Sequence, residues 1–169
     1  MRFFTSSFAT TIGPLRLLAH DGALCGLLLP GEAALAKEAS SGAWATAREY
    51  PQHPLLHAAR QQVEAYLHGS LRVFDLPLEA QGSAFRQAVW QQLLTIPYGK
   101  TMTYGELAAR LGEKNKARAV GGAAHHNPIA LIIPCHRLIG ANGGLTGFGG
   151  GLPLKAALLD LERQAGQND

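Results

Sequence analysis

Two apolar segments near the start of the chain have the pattern of a β-hairpin. GPLRLLAH (13–20) and ALCGLLL (23–29) flank Asp21 and Gly22, a dipeptide typical of two-residue hairpin turns. Further along, PLLHAARQQVEAYLHG (54–69) has apolar residues at helical spacing, a proline in its first turn and a glycine at its end. The first half of the chain therefore predicts strands followed by a helix.

The remaining segments of the first half have weaker patterns. RVFDLPL (72–78) predicts one more strand. Residues 31–53 follow no single period, and we assign them part loop and part helix. LEAQGS (78–83) is interpreted as a linker to the second half.

The second half has helical spacing in three places. Ser83 can cap a helix that carries its apolar residues on one face. TYGELAARLG (103–112) predicts a second helix, because Thr103 and Glu106 have the spacing of a capping box and a glycine ends the segment. KARAVGGAA (116–124) predicts a third, which an Asn-Pro turn ends. The last two form a helix-turn-helix pattern, which an αα-hairpin buried in a core also shows.

These elements predict an α+β protein with two domains. Residues 1–79 would form a small α/β domain, an antiparallel sheet plus a helix, and residues 80–169 a mostly helical domain with the helix-turn-helix. No apolar run approaches the ~20 residues that span a bilayer, and no signal-peptide pattern begins the chain. We therefore expect a cytoplasmic protein in which Cys25 and Cys135 stay reduced.

Charge and small residues point to an anionic partner for the second half. Residues 82–169 hold 9 Lys and Arg against 5 Asp and Glu, whereas residues 1–81 hold 6 against 7. The third predicted helix contains Gly121 and Gly122, which each cost about 1 kcal/mol relative to alanine. Such a thin helix suits the minor groove of DNA, about 6 Å wide, although close packing against a neighbouring element would also explain it.

The candidate nucleophile is Cys135, in IIPCHRLIG (132–140). A thiol becomes nucleophilic when a base, a cation or a helix N-terminus lowers its pKa, and His136 and Arg137 follow Cys135 directly. A lone cysteine in an apolar run is more often a buried and inert residue, so both interpretations stay open at this point. No C-x-x-C spacing indicates a metal site, and we expect none.

Two glycine motifs resemble phosphate-binding loops without completing them. GKT (99–101) would need a glycine five residues earlier, where Leu94 stands. GFGGG (147–151) would need a third glycine where Leu152 stands. We therefore expect no nucleotide cofactor.

Residues from Ser83 to about Glu162 resemble a known family, the 6-O-alkylguanine-DNA alkyltransferases or methylated-DNA–protein-cysteine methyltransferases. The resemblance rests on four motifs: IPYGKTMTYGELAARLG, ARAVGGA, NPIALIIPCHR and GGLTGF. The first half resembles the family only in its general layout of strands and helix. The resemblance implies direct-reversal DNA repair after minor-groove binding and base flipping.

The resemblance also implies a role for each matching residue. Cys135 is the acceptor that takes the alkyl group from the 6-oxygen of guanine as a stable thioether, so each molecule acts once. His136 is the base that deprotonates Cys135 through a water, and Glu162, on the helix opened by GLPLKAALLDLE (151–162), orients that histidine. Tyr104 helps to rotate the target phosphate and protonates the leaving guanine.

Other matching residues would contact DNA or form the pocket. Arg118 enters the base stack and fills the gap left by the flipped nucleotide, and Asn127 ties the helix-turn-helix to the active-site turn. Further DNA contacts are expected at Thr103, Tyr104, Ala119, Gly122 and Ala123. The pocket is expected to include Pro134, Phe148, Gly149 and Gly150.

Some positions depart from the family pattern or have simpler explanations. Phe148 stands where many relatives have tyrosine, so its ring can wall the pocket without a hydroxyl bond. His125 and His126 stand where relatives often carry larger or basic groups.

Three of these residues also have simpler explanations. Arg137 is either structural or a basic contact. Glu162 could be a solvated residue on a helix face and Tyr104 a packed ring.

The partner implied by the resemblance is double-stranded DNA containing 6-O-alkylguanine, with neither a membrane nor a cofactor. We expect a monomer and leave cooperative assembly on DNA open. Three rivals remain: a non-catalytic module that only binds lesions, a helix-turn-helix transcription regulator and a cysteine hydrolase. The presence of Cys135 argues against the first, and the few base-reading side chains of the third helix argue against the second.

Overall fold

The computed structural model describes residues 1–30 and 42–167. The chain divides into two compact units, Met1–Ala80 and Gln81–Asp169. The first unit is built on a sheet and the second mostly from helices, as expected for an α+β protein. No helix within the described ranges is long and apolar enough to cross a membrane.

A four-stranded sheet forms the centre of the first unit, with the strand order β3-β2-β1-β4. Its strands are β1 (Phe4–Thr10), β2 (Gly13–His20), β3 (Ala23–Leu28) and β4 (Arg48–Glu49). The predicted hairpin around residues 21–22 is confirmed, because β2 and β3 pair antiparallel on either side of it. The expected antiparallel pairing holds for β1, β2 and β3, whereas the short β4 pairs parallel with β1.

Within the described part of the first unit, two helices accompany the sheet, α1 (Gly42–Thr46) and α2 (Pro54–Leu67). Helix α2 confirms the pattern in residues 54–69: His53 caps it by accepting a bond from the Leu55 N–H, and Pro54 begins it. Its apolar face, which includes the fully buried Val63 and Tyr66, packs on β1, β2 and β3. Residues 31–41, part of the segment assigned loop and helix, lie outside the described residues.

The strand predicted at residues 72–78 is wrong. This segment makes only an isolated bridge, in which Leu24 N–H donates to the Pro77 carbonyl at 2.8 Å and Glu79 N–H donates to the Leu24 carbonyl at 2.9 Å. The Asp75 backbone is instead bonded through both its N–H and its carbonyl to the side chain of Gln62. Pro77 has no N–H to donate, and a regular ladder therefore cannot run through the segment.

The second unit contains four α-helices, and the three predicted in residues 83–125 are confirmed. The helices are α3 (Ala84–Leu93), α4 (Tyr104–Arg110), α5 (Ala117–His125) and α6 (Leu152–Gln167). Ser83 caps α3 by accepting the Arg86 N–H at 3.3 Å. Thr103 and Glu106 form the complete capping box of α4. Helices α4 and α5 pack against each other, and α3 packs on α5.

A second, two-stranded sheet brings distant segments of this unit together. Strands β5 (Met102–Thr103) and β6 (Leu138–Ile139) pair in parallel. Strand β5 immediately precedes α4, and β6 immediately follows a 3₁₀ helix, Cys135–Arg137. The pairing therefore places the start of α4 beside the segment that carries the candidate nucleophile.

The apolar run before Cys135 does not form a strand. Residues 128–134 form consecutive turns, with the Ile133 N–H donating to the Ile129 carbonyl at 3.0 Å and Leu131 at a φ of 74°. Prolines at both ends, Pro128 and Pro134, disfavour a regular strand. The apolar side chains are buried all the same, because the turns pack into the core of the second unit.

Candidate active site

The candidate nucleophile stands at the first position of the 3₁₀ helix. Cys135 is a half-buried thiol whose N–H donates to the Ile133 carbonyl at 2.8 Å. Pro134, which is buried, precedes the helix at a φ of −82° and a ψ of 65°. The cysteine is thus reached from solvent while the two residues that follow it are buried.

His136 is fully buried and directed at a carboxylate on another helix. Its Nε2 lies 2.7 Å from Oε2 of Glu162, which is also fully buried and belongs to α6. A carboxylate only accepts hydrogen bonds, so Nε2 carries a proton, and in the neutral form of the ring the lone pair is on Nδ1. Glu162 is therefore not a solvated residue on a helix face, and the expected contact with His136 is present.

Arg137 has a structural place in the same cluster. Its Nε donates to Oε1 of Glu162 at 2.9 Å, its Nη2 donates to Oε2 at 3.1 Å and its Nη1 donates to the Ile96 carbonyl at 2.7 Å. The Gly99 N–H also donates to Oε1 of Glu162, at 3.0 Å. Of the two alternatives for Arg137, the buried ion pair supports the structural one.

Burial is the largest influence on the pKa of each member of the pair. Loss of solvation lowers the pKa of His136, although the bond to Glu162 acts in the opposite direction. Burial alone would raise the pKa of Glu162, but the hydrogen bonds and charges of His136 and Arg137 outweigh it and lower that pKa to about 2. At neutral pH the pair therefore consists of a carboxylate and a neutral imidazole.

Tyr104, at the start of α4, is held by a second polar cluster. Its hydroxyl donates to the Thr146 carbonyl at 3.1 Å. The Nζ of Lys155, on α6, donates to the same carbonyl at 2.8 Å and lies 3.5 Å from the tyrosine hydroxyl oxygen. The tyrosine is more than a packed ring, because this contact fixes its hydroxyl beside the glycine-rich segment 140–151.

Lys155 was not identified from the sequence, although its spacing from Glu162 indicates that both lie on one face of α6. The lysine has no exposed surface, like Glu162 seven residues later and Leu158 between them. Spacings of three and seven residues put all three on one face of α6. Two charged residues on an otherwise apolar helix stripe therefore mark a buried polar site.

Asn127 connects α5 to the turns that lead to Cys135. Its Nδ2 donates to the Ile133 carbonyl at 2.8 Å, and its Oδ1 accepts the Ile129 N–H at 3.0 Å. The amide therefore spans the turn segment 128–134 and fixes the approach to the 3₁₀ helix. This is the geometry expected for a residue that ties the helix pair to the active-site turn.

Helix α5 exposes a narrow surface of small residues around one long cation. Arg118, Ala119 and Gly122 are exposed, whereas Ala123 is only 4% exposed and its carbonyl accepts the Trp90 indole N–H at 2.9 Å. The Ala123 side chain therefore faces the interior of the unit and offers little surface for the DNA contact expected there. Thr103 is half-buried, with its hydroxyl engaged in capping α4.

The two glycines of α5 are not required by packing within the unit. A Cβ built on Gly122 would meet nothing within 4 Å, and one on Gly121 would make an ordinary contact of 3.6 Å with the Tyr104 ring. The alternative of close packing against a neighbouring element is therefore not supported. Small residues on an exposed helix face leave room for something outside the chain.

The pocket residues of the glycine-rich segment are half-buried. Phe148, Gly149 and Gly150 share this exposure, and Gly147 and Gly151 on either side have positive φ angles of 35° and 93°. His125 and His126, at the end of α5, are exposed. Near these pocket residues and Cys135, one group of hydrogen bonds surrounds Glu162 and another surrounds the Thr146 carbonyl.

One set of residues in the first unit could hold a metal ion. His20, Cys25 and Glu79 place one ligand atom each within 4.8 Å of one another, and Nε2 of His20 contacts Oε2 of Glu79. Nitrogen, sulfur and carboxylate oxygen are the donors that Zn²⁺ accepts. The sequence spacing did not reveal this set, because the hairpin and the segment after Pro77 bring its members together.

The fold and the site define a class of protein: a helix pair with a narrow exposed face, joined to a thiol beside a buried histidine–carboxylate pair. Two family models match, "6-O-methylguanine DNA methyltransferase, ribonuclease-like domain" over residues 4–80 and "6-O-methylguanine DNA methyltransferase, DNA binding domain" over residues 84–164. The chain belongs to the 6-O-methylguanine DNA methyltransferase family.

Individual relatives agree over nearly the whole chain. The methylated-DNA–protein-cysteine methyltransferase of Mycobacterium tuberculosis is 46% identical over 158 residues, which are 94% of this chain and 91% of that protein. The namesake from Mycobacterium leprae is 45% identical over 157 residues, 93% of this chain and 90% of that protein.

Solved structures show the same fold. The structure of Mycobacterium tuberculosis OGT in complex with DNA has a TM-score of 0.86 at 42% identity and covers 96% of this chain and 94% of that one. An O6-methylguanine DNA methyltransferase from Methanococcus jannaschii has a TM-score of 0.65 at 25% identity, covering 93% and 92%. Both the sheet unit and the helical unit therefore have counterparts in this family.

Proposed function

We propose that this protein repairs DNA by moving the alkyl group of 6-O-alkylguanine irreversibly onto its own Cys135. One observation carries the proposal: the half-buried Cys135 is followed directly by His136, whose buried ring is bonded at 2.7 Å to the ionised Glu162. This order of nucleophile, base and orienting carboxylate activates nucleophiles in many enzymes. Relatives that cover the whole chain are named methylated-DNA–protein-cysteine methyltransferases, which supports the reaction type.

The proposed reaction conserves atoms and protons. His136 accepts the thiol proton of Cys135 through a water at Nδ1 and later releases it to solvent, and the thiolate attacks the alkyl carbon. A carbon–sulfur bond forms while the carbon–oxygen bond breaks, and the electron pair stays on the 6-oxygen of guanine. Tyr104, whose hydroxyl faces the Thr146 carbonyl in this structure, donates a proton to the leaving base and is reprotonated from solvent. The thioether persists, so each molecule reacts once.

The proposed DNA surface is the exposed face of α5. The small residues Ala119 and Gly122 let the helix approach a minor groove, and the exposed Arg118 fills the space that a flipped nucleotide leaves in the stack. A guanidinium is flat and can stack on bases, which suits Arg118 to this role. Thr103 and Tyr104 lie at the start of α4, from which we propose contacts to the phosphate backbone.

The remaining roles concern the pocket and the conditions of reaction. Pro134 and Asn127 hold the turn before Cys135, and Phe148, Gly149 and Gly150 would border the flipped base. We propose that the protein acts as a monomer without a cofactor, because the transferred group, the nucleophile and the proton donors suffice for the reaction. A thiol that must stay reduced fits the cytoplasm.

The proposal is tested by incubating the chain with an excess of duplex containing one 6-O-methylguanine, followed by mass analysis of its peptides. We expect one added methyl group per protein molecule, on the Cys135 peptide, and no turnover beyond one equivalent. The peptide that contains Cys25 is the internal control and should stay unmodified.

A Cys135→Ser variant and an unmethylated duplex complete the controls, and neither should give a methylated peptide. Binding of the lesion without any modification of Cys135 would contradict the proposal and favour a lesion-binding module. Catalytic turnover without a protein adduct would contradict both.

A further inference from the structure

The described contacts of Glu162 include four hydrogen bonds in a buried site, and three of them do not come from His136. Oε1 accepts from Arg137 Nε and from the Gly99 N–H, whereas Oε2 accepts from Arg137 Nη2 and from His136. A carboxylate has about four lone-pair sites, so these donors fill its capacity. The two bonds from Arg137 run parallel, in the fork geometry that fixes the plane of a carboxylate.

Arg137 is itself held in place by its surroundings. It is 7% exposed, its Nη1 donates to the Ile96 carbonyl at 2.7 Å and its guanidinium lies 5.8 Å from the ring centre of Tyr98. A rigid guanidinium leaves the Glu162 carboxylate one orientation, in which Oε2 lies 2.7 Å from His136. The orientation of the His136 ring therefore depends on Arg137, although no described hydrogen bond joins the two side chains.

Arg137 acts on His136 through its charge as well as through its geometry. An unbalanced buried carboxylate beside an imidazole would draw a proton onto the ring, since opposite charges stabilise each other strongly where water is excluded. The guanidinium balances that carboxylate charge. A protonated His136 could not accept the thiol proton, so its neutral state is needed for the reaction.

We propose that Arg137 is a positioning residue for alkyl transfer: it aims the Glu162 carboxylate at His136 and cancels its charge, so that His136 remains a neutral base in mildly acidic conditions. The inference rests on the proposed function, in which His136 activates Cys135. Three charged groups act on His136 within the second unit, namely Glu162 and Lys155 on α6 and Arg137 beside it. Lys155 and Arg137 oppose protonation of the ring, and Glu162 favours it.

The test is the pH profile of single-turnover methyl transfer at saturating duplex, measured for the parent chain, Arg137→Gln and Arg137→Lys. Glutamine removes the charge and the fork, and lysine keeps the charge but loses the fork. We expect the acid limb of the Arg137→Gln profile to lie about one pH unit higher than in the parent. One unit below the parent midpoint, the rate of the glutamine variant should then be about tenfold lower than that of the parent, when each rate is divided by its own alkaline plateau.

Arg137→Lys should shift the limb less than Arg137→Gln while lowering the plateau, because the carboxylate loses its fixed plane. The matched control is Arg163→Gln on the same helix as Glu162. Arg163 is exposed and paired with Asp160, so this variant removes the same charge without touching the buried cluster. Its pH profile should coincide with that of the parent.

A purely structural role for Arg137 would lower the rate by the same factor at every pH, and an unshifted acid limb in Arg137→Gln would overturn the inference. If the parent chain transfers no methyl group to Cys135 at any pH, the proposed function fails instead, and the two failures are distinct.

Poor folding of both variants leaves a direct measurement on the parent chain. Nitrogen-15 NMR of His136 reports the protonation of each ring nitrogen. The inference requires a neutral ring with its proton on Nε2 at pH 6.5, where about half of free imidazole is protonated. An imidazolium at pH 6.5 would overturn it.

Discussion

Glu162 shows how a single residue joins stability to chemistry in this molecule. Its carboxylate has no exposed surface, yet it stays charged because His136, Arg137 and the Gly99 N–H surround it with donors. A buried charge without such partners would cost several kcal/mol. The same bonds that stabilise the charge also direct the His136 ring, so the residue cannot be replaced without a loss in both properties.

This burial predicts a pH-dependent contribution of Glu162 to stability. Its pKa is lowered from 4.5 to about 2 in the folded chain, so the stabilisation is complete above pH 4.5 and is lost as the pH falls toward 2. Glu162→Gln should lower the free energy of unfolding by roughly 3 kcal/mol at pH 7, because Arg137 loses its partner. The difference from the parent should shrink between pH 4.5 and pH 2.

Denaturant unfolding of both proteins at pH 7 and pH 3 measures this difference. Asp160→Asn is the control: the carboxylate is exposed and paired only with the exposed Arg163, so its removal should cost less than about 1 kcal/mol at either pH. A Glu162→Gln deficit of the same size at both pH values would contradict the prediction.

At the scale of single residues, the sequence predicted the nucleophile and its partners only through the resemblance to a family. Cys135 in its apolar run alone favours an inert thiol, and nothing local indicates that Glu162 lies 2.7 Å from His136. The role of Lys155 depends on the path of the segment 140–151, which has no regular period. The burial of Ala123 could not be predicted either, because a helix of small residues has little apolar contrast between its sides.

Among the elements, α5 has a composition that lowers its own stability. Gly121 and Gly122 lie inside the helix, and the structure offers no internal contact that would exclude a side chain at Gly122. Each glycine costs about 1 kcal/mol relative to alanine in a helix interior. Such a cost is expected where a function needs a small residue.

Gly122→Ala should therefore stabilise the fold and, at the same time, weaken DNA binding. We expect the free energy of unfolding to rise by up to about 1 kcal/mol, because alanine favours the helix and meets no atom within 4 Å. Binding to duplex DNA should weaken, because the added methyl group stands on the exposed face proposed to enter the minor groove. Thermal melting and fluorescence anisotropy measure the two effects.

Gly166→Ala in α6 is the matched control, since a Cβ at Gly166 also meets nothing within 4 Å. That variant should change DNA binding by less than twofold. If Gly122→Ala binds duplex as tightly as the parent, the proposed contact at α5 is wrong.

Elements were predictable where local signals agree and not where tertiary contacts decide. The hairpin turn at residues 21–22, the Ser83 cap and the Thr103–Glu106 capping box each fix a boundary through neighbouring residues. The apolar segment 128–134 has the composition of a buried strand, but its prolines and the Asn127 amide fold it into turns. Strand β4 has only two residues and pairs with β1 across more than forty positions, which no local pattern records.

At the scale of the whole molecule, the two units differ in their balance of charged residues. The second unit has the excess of cations, but Arg137 and Lys155 are buried and take no part in its surface. The exposed cations around the helix pair include Arg110, Lys114 and Lys116. We therefore expect the electrostatic attraction to DNA to come from a few side chains beside the helix-turn-helix rather than from the net charge.

This distribution predicts a moderate dependence of DNA binding on salt. Three phosphate contacts would give a slope of about −3 for log affinity against log salt, or roughly a 40-fold loss between 50 and 200 mM. Lys114→Gln should make the slope shallower by about one. Arg48→Gln removes an exposed cation from the first unit and should leave the slope unchanged.

Anisotropy titrations at four salt concentrations measure these slopes. A weaker affinity of Lys114→Gln with the parent slope would show that Lys114 does not neutralise a phosphate. An equal change in Arg48→Gln would show that the attraction is spread over both units.

The indole of Trp90 gives this fold an intrinsic optical probe. Its N–H is bonded at 2.9 Å to the Ala123 carbonyl, so the ring is attached to the backbone of the helix proposed to enter DNA. The molecule has two tryptophans, and the other, Trp44, belongs to the sheet unit, where Arg16 lies 5.3 Å from its ring centre. In a Trp44→Phe background, the emission wavelength of Trp90 would follow displacements of α5 in real time, with no external label attached.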